Sequence, residues 1–89
     1  MARNSRDKDD PQYKVWRAAV VKRDKGRCQM PSCKRKGREA HHITRYHDAP
    51  HLRFEVRNGI YLCRNCHWMV RNKEHVYASL FMKIVAEKK

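Results

Sequence analysis

Long apolar runs are missing from this chain. The longest stretches, such as Ile60-Tyr61-Leu62-Cys63, fall far short of the ~20 residues a membrane span needs. The opening Met1-Ala2-Arg3-Asn4-Ser5-Arg6 leads into no apolar segment, so we expect no secretory signal and a cytoplasmic, reducing location. Repeats are lacking, as are low-complexity segments beyond the charged ends. Length is also in short supply. With 89 residues the chain makes one domain at most, which excludes a large enzyme with a deep cleft. Folding at this size buries only ~60–65% of the unfolded surface, so the core is marginal unless something staples it.

Acidic residues are scarce as well. There are 9 Asp+Glu against 22 Lys+Arg, a formal charge of +13, and the mean hydropathy is −1.02. Such a charge strains a compact fold by self-repulsion and points to a polyanionic partner. A membrane surface would want the cations on one face of an amphipathic helix. Here they run from Arg3 to Lys89, which favours nucleic acid.

Four cysteines are the candidate staple. Cys28 and Cys33 form a C-x4-C pair, and Cys63 and Cys66 a C-x2-C pair. Thiolates at these spacings can meet one Zn2+ from two tight turns, with Zn–S distances of ~2.3 Å. In a reducing compartment structural zinc is favoured over disulfides. Twenty-nine residues separate Cys33 from Cys63, so a folded insert lies between the two knuckles, and it holds most of the histidines.

The remaining pattern predicts a small α+β fold. Residues 1–9 read as a disordered basic arm. Asp10-Pro11 reads as an N-cap with proline at the first helical position, opening an amphipathic helix over about 11–25 through Val15, Trp16, Ala19 and Val20. Gly26 stops it. Short strands are expected around Arg38–Ile43 and Ile60–Leu62, with a loop over 44–57 and a turn at Asn58-Gly59. From Arg64 the pattern is helical, with Met69, Val70, Val76, Leu80, Phe81 and Ile84 as one apolar side and a break near Asn72-Lys73. Trp16 and Trp68 are both expected in the core.

Within this frame stand His41-His42, Asn58 and His67. Neighbouring strand residues point to opposite sides. The histidine pair can therefore put one imidazole on a metal and the other beside a substrate, but cannot readily chelate one ion together. Asn58 can accept from an imidazole N–H and fix its tautomer. His67 directly follows the last cysteine, a rigid mounting for a metal ligand. Each has an ordinary alternative: packing or surface histidines, a turn asparagine, or His67 replacing a cysteine in a Cys3His site. His47, His51 and His75 carry no assignment.

The ordered string Cys28-x4-Cys33, Ala40-His41-His42-Ile43 and Asn58-Gly59-Ile60-Tyr61-Leu62-Cys63-x2-Cys66-His67 resembles the zinc-containing HNH endonuclease family. So does the approach Trp16…Val21-x-Arg23-Asp24-x3-Arg27-Cys28. The likeness covers about residues 13–72 and is greatest to small stand-alone proteins of bacteriophages and bacteria. It implies a ββα-metal (His-Me finger) core with flanking helices, making residues 10–89 one HNH nuclease domain. It implies His42 as general base oriented by Asn58, and His41 and His67 as ligands of a catalytic divalent cation. The four cysteines would hold a separate structural zinc, and DNA would be cut to leave 5′-phosphate and 3′-hydroxyl ends. Some members carry a further histidine four residues past the last one, where this chain has Arg71. That leaves two protein ligands and suits Mg2+, with Mn2+ or Ni2+ as substitutes. Arg71 shares a helix face with His67 and is a candidate to hold the scissile phosphate, or else a solvated surface arginine.

The sequence thus predicts a metal-dependent DNA endonuclease, nicking or weakly specific. The competing reading is a non-catalytic zinc-stabilised module that binds DNA or docks on a larger machine. By analogy with small phage members, that machine is the large subunit of a phage terminase. Only His41, His42, Asn58 and His67 separate the two. We expect a monomer or weak homodimer.

Overall fold

The computed structural model describes residues 10–45 and 48–88. The arm expected at 1–9, and His47, lie outside the described residues. Helix α1 spans Pro11–Arg23. The Asp10 carboxylate caps it, accepting from Gln12 N at 2.8 Å, and Pro11 sits where no amide is needed. Lys22 and Arg23 complement the dipole of its last turn. Gly26, at φ 70°, then reverses the chain in a conformation that favours glycine.

Strands β1 (Glu39–His42) and β2 (Gly59–Leu62) pair antiparallel, with Ala40 opposite Tyr61, His41 opposite Ile60 and His42 opposite Gly59. Residues 43–58 connect them through two 3-10 turns, Pro50–Leu52 and Val56–Asn58, where the sequence predicts only a loop and a tight Asn-Gly turn. Helix α2 (Arg64–Val70) follows β2 directly, and α3 is Glu74–Ala86. Asn72, at φ 63°, turns the chain between them, a conformation asparagine tolerates well. Among the described residues this is a small α+β fold of three helices and one two-stranded sheet. No helix among them is long and apolar enough to cross a membrane.

The sheet separates two apolar clusters. On one face Ile60 and Leu62 pack with Ile43, Val70, Phe81, Val85 and three of the cysteines. On the other Tyr61 packs with Trp16 and Val20 of α1. Gly59 lies under that helix, where a Cβ would come within 2.6 Å of Val20 and 2.7 Å of Trp16. Only a residue without a side chain allows α1 so close.

The helical faces differ from those expected. Trp68 is 71% exposed, and Val15, Met69, Val76 and Leu80 are exposed too, whereas Trp16, Val70, Phe81 and Val85 are buried. Apolar residues ring more than half of α3, so periodicity alone does not choose its inner face. Contact with the sheet chooses Phe81 and Val85.

One acid anchors the architecture. Asp24, 2% exposed, takes a two-pronged contact from Arg23 with both distances 2.8 Å, and accepts from Tyr61 N at 2.9 Å. Arg23 also donates to the Val56 and Gly59 carbonyls at 2.8 and 2.6 Å, and Lys88 lies 3.6 Å from Asp24. The cluster ties the end of α1 to β2, the second 3-10 turn and the end of α3. Breaking a buried charge pair costs about 3–5 kcal/mol. Asp24→Asn should therefore lower the thermal midpoint by more than about 10 °C in a domain this small, measured by circular dichroism on the metal-loaded protein.

Candidate functional site

Two turns bring the cysteines together. Cys28 follows an isolated antiparallel bridge between Arg27 and Lys36, and its amide donates to Arg35 O at 3.0 Å. Ser32, at φ 70°, closes the knuckle, and Cys33 N donates to Met30 O at 3.0 Å. Gln29 N donates to Tyr61 O at 2.9 Å, docking the knuckle on β2. Cys63 caps α2, its Sγ accepting from Cys66 N at 3.4 Å.

All four sulfurs lie within 4.8 Å of one another. Cys33 Sγ and Cys63 Sγ are 3.8 Å apart, far beyond a ~2.05 Å disulfide. A tetrahedron with ~2.3 Å Zn–S bonds has sulfur–sulfur edges of about 3.8 Å, so the arrangement is compatible with one metal ion. Burial pushes the Cys63 thiol up, but the Cys66 amide and the neighbouring thiols outweigh it and bring it down to about 7. Burial raises Cys28, and burial together with the neighbouring thiols raises Cys66. Four crowded thiols favour one negative charge and resist the last; a divalent cation relieves that repulsion.

The two histidines of β1 diverge. His41 shares the face of Ile60. It is 5% exposed, with its ring centroid 5.5 Å from that of His67 and 5.7 Å from that of Phe81, both edge-on. Its Nε2 is buried without a hydrogen-bond partner. Leaving such an atom unsatisfied costs roughly 1–3 kcal/mol, so the atom calls for an explanation. Burial first, then the adjacent charges of His67 and His42, lowers its pKa to about 3. The ring is therefore neutral near pH 7, the form that ligates cations.

His42 turns to the α1 face. Its ring stacks on Trp16 with centroids 4.1 Å apart and planes 10° apart, and its Nε2 lies 2.9 Å from Arg53 O. Trp16 Nε1 in turn donates to Glu55 O at 2.8 Å. A neutral imidazole that donates from Nε2 keeps its basic lone pair on Nδ1.

Asn58, 6% exposed, acts through backbone. Its Oδ1 accepts from Thr44 N at 2.8 Å, and its Nδ2 donates to Thr44 O at 3.1 Å and Leu52 O at 3.2 Å. The sequence suggests Asn58 as an acceptor for an imidazole; the acceptor His42 meets is instead the Arg53 carbonyl, one residue beyond the Leu52 that Asn58 holds. Arg71, at the end of α2, is exposed with its guanidinium 5.0 Å from the Trp68 ring centroid.

The residues singled out from sequence thus fall into four places: four cysteines, His41 with His67, His42 with the turn Asn58 fixes, and Arg71 apart from these beside Trp68. Missing from the sequence reading are Trp16 as the ring behind His42, and the Arg53 carbonyl. The first had a signal, a tryptophan on the helix leading to the first cysteine pair. The second had none, since any residue supplies a carbonyl. No family model, no curated protein and no solved structure matches this chain.

Proposed function

We propose that this chain is a metal-dependent HNH-type DNA endonuclease, built on a ββα-metal core made of β1, β2 and α2 and stapled by zinc on its four cysteines. The observation that carries the reading is the orphaned Nε2 of His41, buried beside His67. A purely structural histidine at that position would find a hydrogen-bond partner or give way to an apolar side chain.

His41 and His67 would hold a Mg2+, Mn2+ or Ni2+ ion. Such an ion would stabilise charge developing on a phosphoryl oxygen. His42, held by Trp16 and the Arg53 carbonyl, accepts the proton of the attacking water at Nδ1. Asn58 positions His42 by fixing the turn that supplies that carbonyl. Arg71 neutralises a phosphate of the substrate, and the excess of Lys and Arg draws DNA in at a rate that falls with salt. With one such site the chain nicks one strand per encounter.

The test is relaxation of supercoiled plasmid by zinc-loaded protein freed of excess metal. Nicked circles should accumulate on adding Mg2+, Mn2+ or Ni2+ and not without them. A general chelator is a poor control, because it also attacks the cysteine centre. DNA binding without cutting under any of these ions would leave a zinc-stabilised DNA-binding module.

A further inference from the structure

The outer side of α2 carries an aromatic ring that the hydrolytic reading does not use. Trp68 is 71% exposed, while Trp16, the chain's other tryptophan, is 1% exposed. Burying a side chain of this size stabilises a fold by a few kcal/mol, and this short chain has little core to waste. Trp68, Met69, Arg71, Asn72 and Lys73 line a surface recess of about 360 Å³, which combines an aromatic face with two cations and no acid.

The recess is rigidly mounted. Cys63 and Cys66 fix one end of α2, and the left-handed turn at Asn72, with Lys73 N donating to Val70 O at 2.9 Å, fixes the other. Arg71 closes α2, three residues past Trp68. Its guanidinium sits 5.0 Å from the indole centroid.

We propose that this recess binds one unpaired nucleotide, its base stacked on Trp68 and its phosphate on Arg71 and Lys73. This rests on the nuclease reading only in making that nucleotide part of the substrate. A base within a duplex is stacked on both faces and offers nothing to an indole, whereas an unpaired base offers a π-face regardless of sequence. The preferred substrate is therefore DNA with a single-stranded or splayed segment beside the cleaved bond. An apolar protein partner would not call for the two cations flanking the ring.

The experiment titrates the zinc-loaded full chain with three probes: a short oligo(dT), an abasic oligomer with the same phosphates, and a blunt duplex. Oligo(dT) should quench tryptophan emission, and the abasic chain should not. Trp68→Ala should weaken oligo(dT) binding by about 5–100-fold. It should leave abasic and duplex affinities within about twofold, and Trp68→Phe should restore most of the loss. Because Trp68 is exposed, the variant should keep its zinc and its helix signal, and both are measured. Unchanged oligo(dT) affinity in Trp68→Ala overturns the proposal, as does an equal loss for the abasic oligomer. Unchanged DNA affinity with altered self-association overturns it in favour of a second copy on this face. A chain that binds oligo(dT) through Trp68 but cuts nothing sinks the nuclease reading and keeps this one. A chain that nicks while Trp68→Ala behaves as the parent does the reverse.

Discussion

Stripping the zinc we propose for the four-cysteine centre is expected to unfold the chain. Structural zinc in small domains contributes about 10–16 kcal/mol near neutral pH, against total stabilities of about 5–15 kcal/mol. The four cysteines join the knuckle at 28–33 to the start of α2, and three of them belong to the cluster beneath Ile60, Leu62 and Phe81. Without the ion, burial and the neighbouring thiols hold the Cys28 and Cys66 thiols protonated in a crowded cluster. A high-affinity zinc chelator at about pH 7.5 should abolish the helical circular dichroism and shift Trp16 emission to the red as its burial is lost. Zinc added back should restore both, and Cys66→Ser should reproduce the unfolded state. Retained helix signal after metal analysis shows no zinc would sink the assignment. The pH matters because His41 titrates near 3 in the fold but near 6.5 in the unfolded chain. Below about 6.5 the unfolded chain takes up a proton that the fold refuses, so stability falls with pH through that window down to about 3. Working above it isolates the metal.

Features set by short spacing were legible in the sequence. Two tight cysteine pairs define a metal-sized cluster whatever lies between them, and the sulfurs do converge. The alternation of strand side chains foretold that His41 and His42 would face opposite ways, as their registers with Ile60 and Gly59 require. The Asp10-Pro11 start of α1 and the break at Asn72 were equally local. Features decided by tertiary contact were not legible. Trp68 follows a helical pattern, yet the sheet is already covered on that side by Val70 and Phe81. Asp24 stands in the sequence only as part of the stretch leading to the first cysteine pair, and it is the approach of β2 that makes it the buried partner of Arg23 and the Tyr61 amide. In a chain this basic, an Arg-Asp pair where a helix ends was a signal available to find it.

Two imidazoles adjacent in sequence sit in opposite environments, and the proposed reaction gives them separate duties. His41 is sealed among rings, where proton exchange with water is hindered and a ligand role is natural. His42 is half-buried and stacked on Trp16, with its Nε2 tied to the Arg53 carbonyl. In the proposed reaction, exchanging these roles would part the ligand from its neighbour His67.

His42→Ala should therefore lower plasmid nicking by about 10²–10⁴-fold, the usual contribution of a positioned base. The substitution also removes the stack on Trp16 and leaves the Arg53 carbonyl without its partner, a loss of about 1–3 kcal/mol in stability. Both variant and parent must be assayed well below their unfolding midpoints and with zinc content checked. His42→Gln separates the two effects, because its amide can still donate to the Arg53 carbonyl but offers no basic nitrogen. It should recover stability and not activity. Imidazole added to His42→Ala should restore part of the rate, since the cavity beside Trp16 has the shape of the lost ring. Parent-level nicking by a folded His42→Ala would remove His42 from the reaction. Activity recovered by His42→Gln would reduce it to a prop for the 53–55 turn. Loss in both variants with partial rescue by imidazole would fix the proton acceptor on the α1 side of the sheet, across β1 from the pair that would hold the cation.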